Sequence, residues 1–429
     1  MERVGVMPEK DYSQRLRLGF SGGGFRATFY CIGAYRRLVE LGIHHLVTDI
    51  SSVSGGSIAA GAIMLGLSEK QFNTIADFDE YVTKRVIVLA QGDLRQKVMQ
   101  KASALVYLVP IAYYFSGAGV RLLLDCIRSK TSEAFPAVLD DTLFKGKLMK
   151  DLPSKPEWSC NATCLNTLKR FRFKPKDIYG NKLGVSRDID DISIAFAVSA
   201  SAAYPLAFAP LRLPTKSRTF YDPYQMPDCI EIPDNLYLTD GGVYDNLGSE
   251  NLLKDKTPFI MLDASAETAV NDSQPSSLEL SKRILAASLD QIVALRRRLL
   301  YTDTKCDGVQ LILNRPIADI AASEVKCRQV KLPDYSWVDP ELEKLIASIR
   351  TDLDPFHEIE IEMLMWAGAI RMDLAIRSLI PDRIGLQRTG PPEVPKYPEQ
   401  QVREVLMQGS KQRIFGRVHK TTCAEKTND

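Results

Sequence analysis

The sequence predicts an α/β protein with three layers, a mainly parallel central sheet covered by helices on both faces, and an added helical C-terminal part. Two observations carry this prediction. Two strand-turn-helix units follow one another near the start of the chain, each through a glycine-rich turn. Short apolar strands then keep alternating with helical stretches as far as Asp263.

In the first unit, residues 14–20 read as a strand, with Leu16, Leu18 and Phe20 at alternate positions. The block Ser21-Gly22-Gly23-Gly24-Phe25-Arg26 follows. Residues 24–41 then repeat with helical period, Phe25, Phe29, Ile32, Leu38 and Leu41 lying on or near one face before Gly42 stops the helix. In the second unit, residues 46–53 are apolar and β-branched enough for a strand. Ser52-Val53-Ser54-Gly55-Gly56-Ser57 comes next, and residues 55–67 are rich in Ala and Gly, which suits a helix packed tightly on a sheet.

Beyond Ser68, read as an N-cap, the chain looks helical to about residue 128, with breaks at Gly92 and Pro110. Residues 104–120 are the most apolar stretch. With Pro110 inside and Arg121 closing it, the stretch reads first as a buried core helix, then as an apolar lid or membrane-contact surface, and last as a membrane span. Residues 158–167 alternate as a strand, and the basic, aromatic run 169–181 reads as a solvated loop. Residues 189–203 form a helix of small and apolar residues ending at Tyr204-Pro205, where the proline forces an extended turn. A loop dense in Pro, Asp and Tyr covers 210–233. Tyr237-Leu238-Thr239 then leads to Asp240-Gly241-Gly242, and 258–262 is a buried strand. Residues 267–277 are the best boundary in the chain. Helices over 278–301, 339–349 and 355–379 and a strand over 309–313 follow, and from Pro381 the polar, proline-bearing sequence predicts a poorly ordered tail. The expected organisation is a core over 15–265, a helix and strand extension over 278–380 packed on it, and a flexible tail over 381–429.

At 429 residues and 45% hydrophobic content the chain can bury a large core. Lys plus Arg outnumber Asp plus Glu by only two, and no basic stripe interleaves with aromatics, so nucleic acid is not an expected partner. The eight cysteines include no Cys-x-x-Cys and have no neighbouring histidines, so structural zinc spacing is absent. Residues 1–14 lack the basic-then-apolar pattern of a secretory signal, so a cytoplasmic protein is expected.

The chemistry concentrates in the two turns. Three consecutive glycines opening a helix present unpaired backbone N–H groups to a developing negative charge. Ser54 lies in a Ser-x-Ser-x-Gly pattern close to the Gly-x-Ser-x-Gly elbow, which exposes a serine hydroxyl on a sharp strand-to-helix turn. Ser57 is a second candidate, but it falls in the first helical turn, where serine commonly caps. Of four histidines, His44 and His45 belong at the wrong end of the second strand and His419 lies in the tail. His357 could serve as base only if a C-terminal helix reached the elbow. Asp240, with two glycines behind it, offers a base that needs no histidine, because a partly buried carboxylate can accept the serine proton directly.

With these residues in view, the chain resembles the patatin-like phospholipases. Gly22-Gly23-Gly24-Phe25-Arg26 is similar to their glycine-rich oxyanion loop, Ser52-Val53-Ser54-Gly55-Gly56 to their elbow, and Asp240-Gly241-Gly242 to their catalytic Asp-Gly-Gly. Ser52 stands where the family usually has glycine. The resemblance covers roughly 16–263 and implies a patatin-like fold and a lipid acyl hydrolase that uses no metal and no cofactor. In that enzyme Asp240 activates Ser54, while Gly22, Gly23, Gly24 and Arg26 hold the oxyanion or substrate. It further implies a membrane phospholipid or other acyl lipid as substrate, peripheral membrane contact, and room for a homo-oligomer or a small-molecule activator. The rival is a silent or signal-gated lipid-binding module of the same fold. A dinucleotide site is disfavoured because the glycine spacing departs from Gly-x-Gly-x-x-Gly, and a phosphate loop because Phe25-Arg26 replaces Gly-Lys-Ser/Thr.

Overall fold

The computed structural model describes residues 15–102, 133–205, 208–222, 230–253, 257–265, 277–302, 307–381 and 389–411. The apolar stretch 104–120 and nearly all of the boundary loop 267–277 lie outside them. Strand β1 (Leu16–Phe20) enters helix α1 (Gly24–Glu40), and β2 (Val47–Val53) enters α2 (Gly55–Glu69), within a residue or two of the boundaries the glycines predict. Among the described residues, eight further strands join the same sheet: β3 (Glu157–Cys164), β4 (Lys169–Phe173), β5 (Ile178–Gly180), β6 (Gly184–Ser186), β7 (Leu211–Pro214), β8 (Asn235–Asp240), β9 (Phe259–Asp263) and β10 (Gly308–Ile312). The strand order is β10-β9-β1-β2-β3-β4-β5-β6, with β8 on β3 and β7 on β8.

The central strands β10, β9, β1, β2 and β3 are parallel throughout. Beyond β3 the pairing turns antiparallel. Period-two alternation assigns each face of the sheet its own core. On β9, Ile260 and Leu262 join the main core with Leu16, Leu18 and Phe20 of β1, beneath α1 and α2. Phe259 and Met261 point the other way, into a smaller core closed by Val293 and Leu300 of the helix Ser277–Thr302. Helices thus cover both faces, and the C-terminal helix Glu358–Leu379 lies along α1, where Arg37 and Asp373 form a buried ion pair at 2.6 Å.

One edge of β3 sets the geometry of everything that follows. Its residues 157–161 pair with β2, and the next three pair with β8 on the same side, because β4 occupies the opposite edge. Strand β2 runs parallel to β3 and β8 runs against it, so their C-terminal ends meet head to head. Val53 is opposite Asn161 and Asp240 is opposite Ala162.

Four expectations differ from the structure. Ser68 caps no helix but lies in the last turn of α2, its Oγ donating to Leu65 O at 2.7 Å, and strand β7 stands within the expected 210–233 loop. The run 169–181 is a β4–β5 hairpin rather than a solvated loop. Phe171 and Phe173 enter the main core, while Arg170 and Arg172 are buried on the other face. There Arg170 meets Asn251 at 3.2 Å and Glu250 at 3.2 Å, and Arg172 lies 4.3 Å over the Tyr179 ring. Charge in this run signals partnered guanidinium groups on aliphatic stems. The polar tail, in turn, contains the helix Glu399–Lys411, whose Val402 and Leu406 are buried at helical spacing against its neighbours. Among the described residues, no helix is long and apolar enough to cross a membrane.

Candidate active site

The elbow is built by close approach. Ser54 adopts φ 50° and ψ −122°, a strained conformation for a residue with a side chain, and it ends β2 as α2 begins. A Cβ on Gly55 would lie 2.0 Å from the Gly24 carbonyl, so only glycine lets the second turn abut the first. The elbow is fastened from below by a chain of hydroxyls whose direction is fixed by proton counting. Ser201 Oγ donates to Asn161 O (2.6 Å), so Ser57 must donate to Ser201 (2.9 Å) and Ser52 to Ser57 (2.9 Å). The Trp158 indole N–H then donates to Ser52 Oγ at 2.9 Å. Ser201 Oγ also accepts the Ser54 backbone N–H at 3.0 Å. Ser52, in the family's glycine position, is therefore accommodated because its hydroxyl has buried partners. Ser57 is a link in this chain, fully buried, and caps nothing.

Asp240 arrives on β8 opposite that turn. Its backbone is pinned by Thr163 Oγ1 donating to Asp240 O (2.9 Å) and by its own N–H on Ala203 O (3.0 Å). A Cβ on Gly241 would meet Asn161 O at 2.3 Å, which accounts for the glycine after the aspartate. The carboxylate is 4% exposed. Burial raises its pKa to about 6, against the opposing effects of the Gly242 N–H (2.7 Å to Oδ1) and a hydrogen bond with the Ser54 side chain. Positions 54 and 240 thus share one cleft, the carboxylate's pKa raised toward neutrality by its burial.

Gly22, Gly23, Gly24, Ser54 and Asp240 line one cleft of about 300 Å³, whose other walls include Ala202, Tyr204, Phe208, Val243, Leu289, Val293 and Leu353. The glycines differ in what they have left to offer. The Gly22 N–H already donates to Asn246 O at 3.0 Å, and the Phe25 N–H to Asp352 O at 3.1 Å. The N–H groups of Gly23 and Gly24 stand between them at the cleft wall, on residues with φ 137° and φ 53°.

Arg26 does not line the cleft. It is 4% exposed, and its guanidinium donates to Ala264 O (2.5 Å), Ala347 O (2.9 Å) and Ile349 O (3.0 Å). Burial lowers its pKa to about 10, against the opposing charge of Asp263, so it stays protonated at neutral pH. A role in holding substrate is replaced by a structural one: Arg26 anchors segment 347–353, whose Thr351, Asp352 and Leu353 form a wall of the cleft. His357 caps the helix Glu358–Leu379, its Nδ1 accepting the Ile359 N–H at 3.1 Å, and is absent from the cleft lining.

Sequence reasoning missed Ser201, Asn246 and segment 351–353. Ser201 lay inside a helix noted only for its small residues. Asn246 follows the Asp-Gly-Gly turn closely, and its Nδ2 donates to Ser265 Oγ at 2.9 Å. Nothing local marks 351–353, which comes to the cleft through tertiary packing alone. Among the described residues, no three His, Cys, Asp or Glu side chains are grouped to hold a metal.

A search of curated proteins returns no match. Among solved structures, human GIVD cytosolic phospholipase A2 aligns with 90% of this chain at 14% identity and a TM-score of 0.48, and the alignment covers 64% of that protein's chain. VipD from Legionella pneumophila aligns with 94% of this chain and 92% of its own at 12% identity and a TM-score of 0.28. The family profile for patatin-like phospholipase matches residues 18–253, more than half of the chain and the span that contains the glycine loop, Ser54 and Asp240. The chain belongs to the patatin-like phospholipase family.

Proposed function

We propose that the protein is a lipid acyl hydrolase that cleaves fatty-acyl esters through a Ser54 acyl-enzyme, with Asp240 as the only general base. One observation carries this reading: Ser54, a buried carboxylate of raised pKa, and Gly23 and Gly24 line one cleft with largely apolar walls. Asp240 takes the Ser54 proton as Oγ attacks the ester carbonyl, and the oxyanion of the tetrahedral intermediate lies against Gly23 and Gly24. The intermediate collapses, and the leaving alcohol departs with the proton held by Asp240. Water, deprotonated by the same carboxylate, then attacks the acyl-enzyme, and Ser54 is restored as the fatty acid leaves.

The test is release of free fatty acid from mixed phospholipid vesicles by the purified chain. Ser54→Ala and Asp240→Asn should abolish release while His357→Ala leaves it nearly intact. Loss of activity in the histidine variant as well would point to a triad. Vesicle binding by the native chain without release would favour the silent lipid-binding module. Head-group preference, peripheral membrane association and any activator belong to the same assays, run across lipid compositions.

A further inference from the structure

We propose that the outer face of the helix Ser277–Thr302 is the surface on which the protein lies against an anionic lipid bilayer. The proposal rests on the lipid-hydrolase reading for its purpose, but the binding it describes does not depend on catalysis.

Four of the fourteen large apolar side chains exposed among the described residues are on this one helix: Leu280, Ile284, Leu295 and Leu299, at 47%, 60%, 59% and 45% exposure. At roughly 100° per residue they fall on one stripe, about 100° wide. The opposite side of the same helix carries Ala286, Leu289, Asp290 and Val293, which line the cleft that holds Ser54 and Asp240. A single helix therefore faces the candidate active site on one side and solvent on the other, with greasy residues on both. A surface that met a bilayer through the outer stripe would set the cleft within a helix diameter of the lipid.

Charge selects the occupant. The helix carries Lys282, Arg283, Arg296, Arg297 and Arg298 against Glu279 and Asp290, whereas the whole chain has a net charge of only +2. Arg296 and Arg297 turn inward to Glu250 and Asp263. Arg298 is exposed and lies in the apolar stripe, near Leu295 and Leu299. A second copy of the helix packed there would have to bury that guanidinium and Gln291. A bilayer surface would not, since the guanidinium can reach head-group phosphates while the aliphatic side chains enter the acyl boundary. An exposed guanidinium set within an apolar stripe matches an anionic interface.

The full-length chain is tested against vesicles of phosphatidylcholine with and without phosphatidylglycerol, and against a water-soluble short-chain ester. The double variant Ile284→Asp/Leu295→Asp should lose at least about tenfold in vesicle partitioning and in fatty-acid release from vesicles, with soluble-ester turnover within about twofold of the native rate. Arg298→Ala should weaken partitioning only onto the anionic vesicles, and high salt should reproduce its effect on the native chain. Unchanged partitioning in the double variant overturns the proposal. So does a native dimer that the double variant converts to monomer without altering vesicle binding, which would make the stripe a self-association face. Stripe-dependent binding with no hydrolysis of either substrate would leave the docking surface standing and refute the catalytic reading instead.

Discussion

Ser54 and Gly23 sit on turns of the same kind, each the exit of a parallel strand into a helix, yet their supports come from different parts of the chain. The elbow is held from within the sheet: Trp158, Ser52, Ser57, Ser201 and the Asn161 carbonyl form one buried relay under it, all on the elbow or on elements packed around it. The glycine loop is held from outside. Its Phe25 N–H is taken by Asp352 O, and Arg26, just behind it, clamps the same C-terminal segment. The Asp352 carboxylate is in turn tied to Arg95 at 2.6 Å. The difference follows from what each turn must present. On the proposed reading, the elbow offers one hydroxyl and can spend its other polar groups on anchoring, whereas the loop keeps backbone donors for the oxyanion and is braced by groups that are not its own.

Removing Ser54 or Asp240 gives the largest effect. Ser54→Ala and Asp240→Asn should each lower ester turnover at least about 10⁴-fold, measured as acyl release at saturating substrate. Next comes the brace on the loop. A Cβ on Gly24 would meet the Thr351 and Asp352 carbonyls at 2.7 Å from a backbone with φ 53°. Gly24→Ala should therefore displace the loop and cost about 10²-fold to 10³-fold in kcat with the fold retained by circular dichroism. Arg26→Met should cost about tenfold or more in kcat with KM little changed, and Arg26→Lys should not restore it, because one ammonium cannot span three carbonyls. If Arg26→Met instead raised KM alone, the guanidinium would be a substrate ligand and the two turns would not differ as described.

Acid titration probes the elbow's partner. The Asp240 pKa of about 6 lies above the ordinary carboxylate value. Turnover should be flat above that pH and fall about tenfold per unit below it, as the base becomes protonated. The linkage to stability has the opposite sign. The fold prefers the neutral acid, so stability is lost as pH rises from about 4 through 6, a penalty of about 3 kcal/mol at pH 8. Asp240→Asn should then melt higher than the native chain at pH 8 and no higher at pH 4. The smallest effect belongs to the relay: Ser57→Ala should cost about 1–2 kcal/mol in chemical denaturation and only a few-fold in kcat, since the remaining hydroxyls can rearrange.

Much of this was legible wherever backbone geometry demands a particular residue. The three glycines, Ser54 with its following glycines and Asp240-Gly241 all mark places where a Cβ would collide or a positive φ is required, and the strands that deliver them show period-two apolar spacing. What stayed hidden depends on partners distant in sequence. The buried arginines of the 169–181 hairpin read as solvent-facing until Glu250, Asn251 and Tyr179 are set beside them. Val402 and Leu406 carry a helical repeat that the surrounding prolines obscured. Ser201 is one small residue among many in its helix, and only the register of β3 reveals that its hydroxyl ties the elbow to the neighbouring strand.

The head-to-head meeting of β2 and β8 on one edge of β3 bears on how the protein is made. A nascent chain emerging from the ribosome can form β1, α1, β2 and α2 early, but the elbow lacks its anchors until Trp158, Asn161 and Ser201 have emerged, and Asp240 joins it only once β8 has docked. The bracing of the glycine loop waits longer still, for residues 347–352. On the proposed reading, the site is thereby completed only when most of the polypeptide has been synthesised.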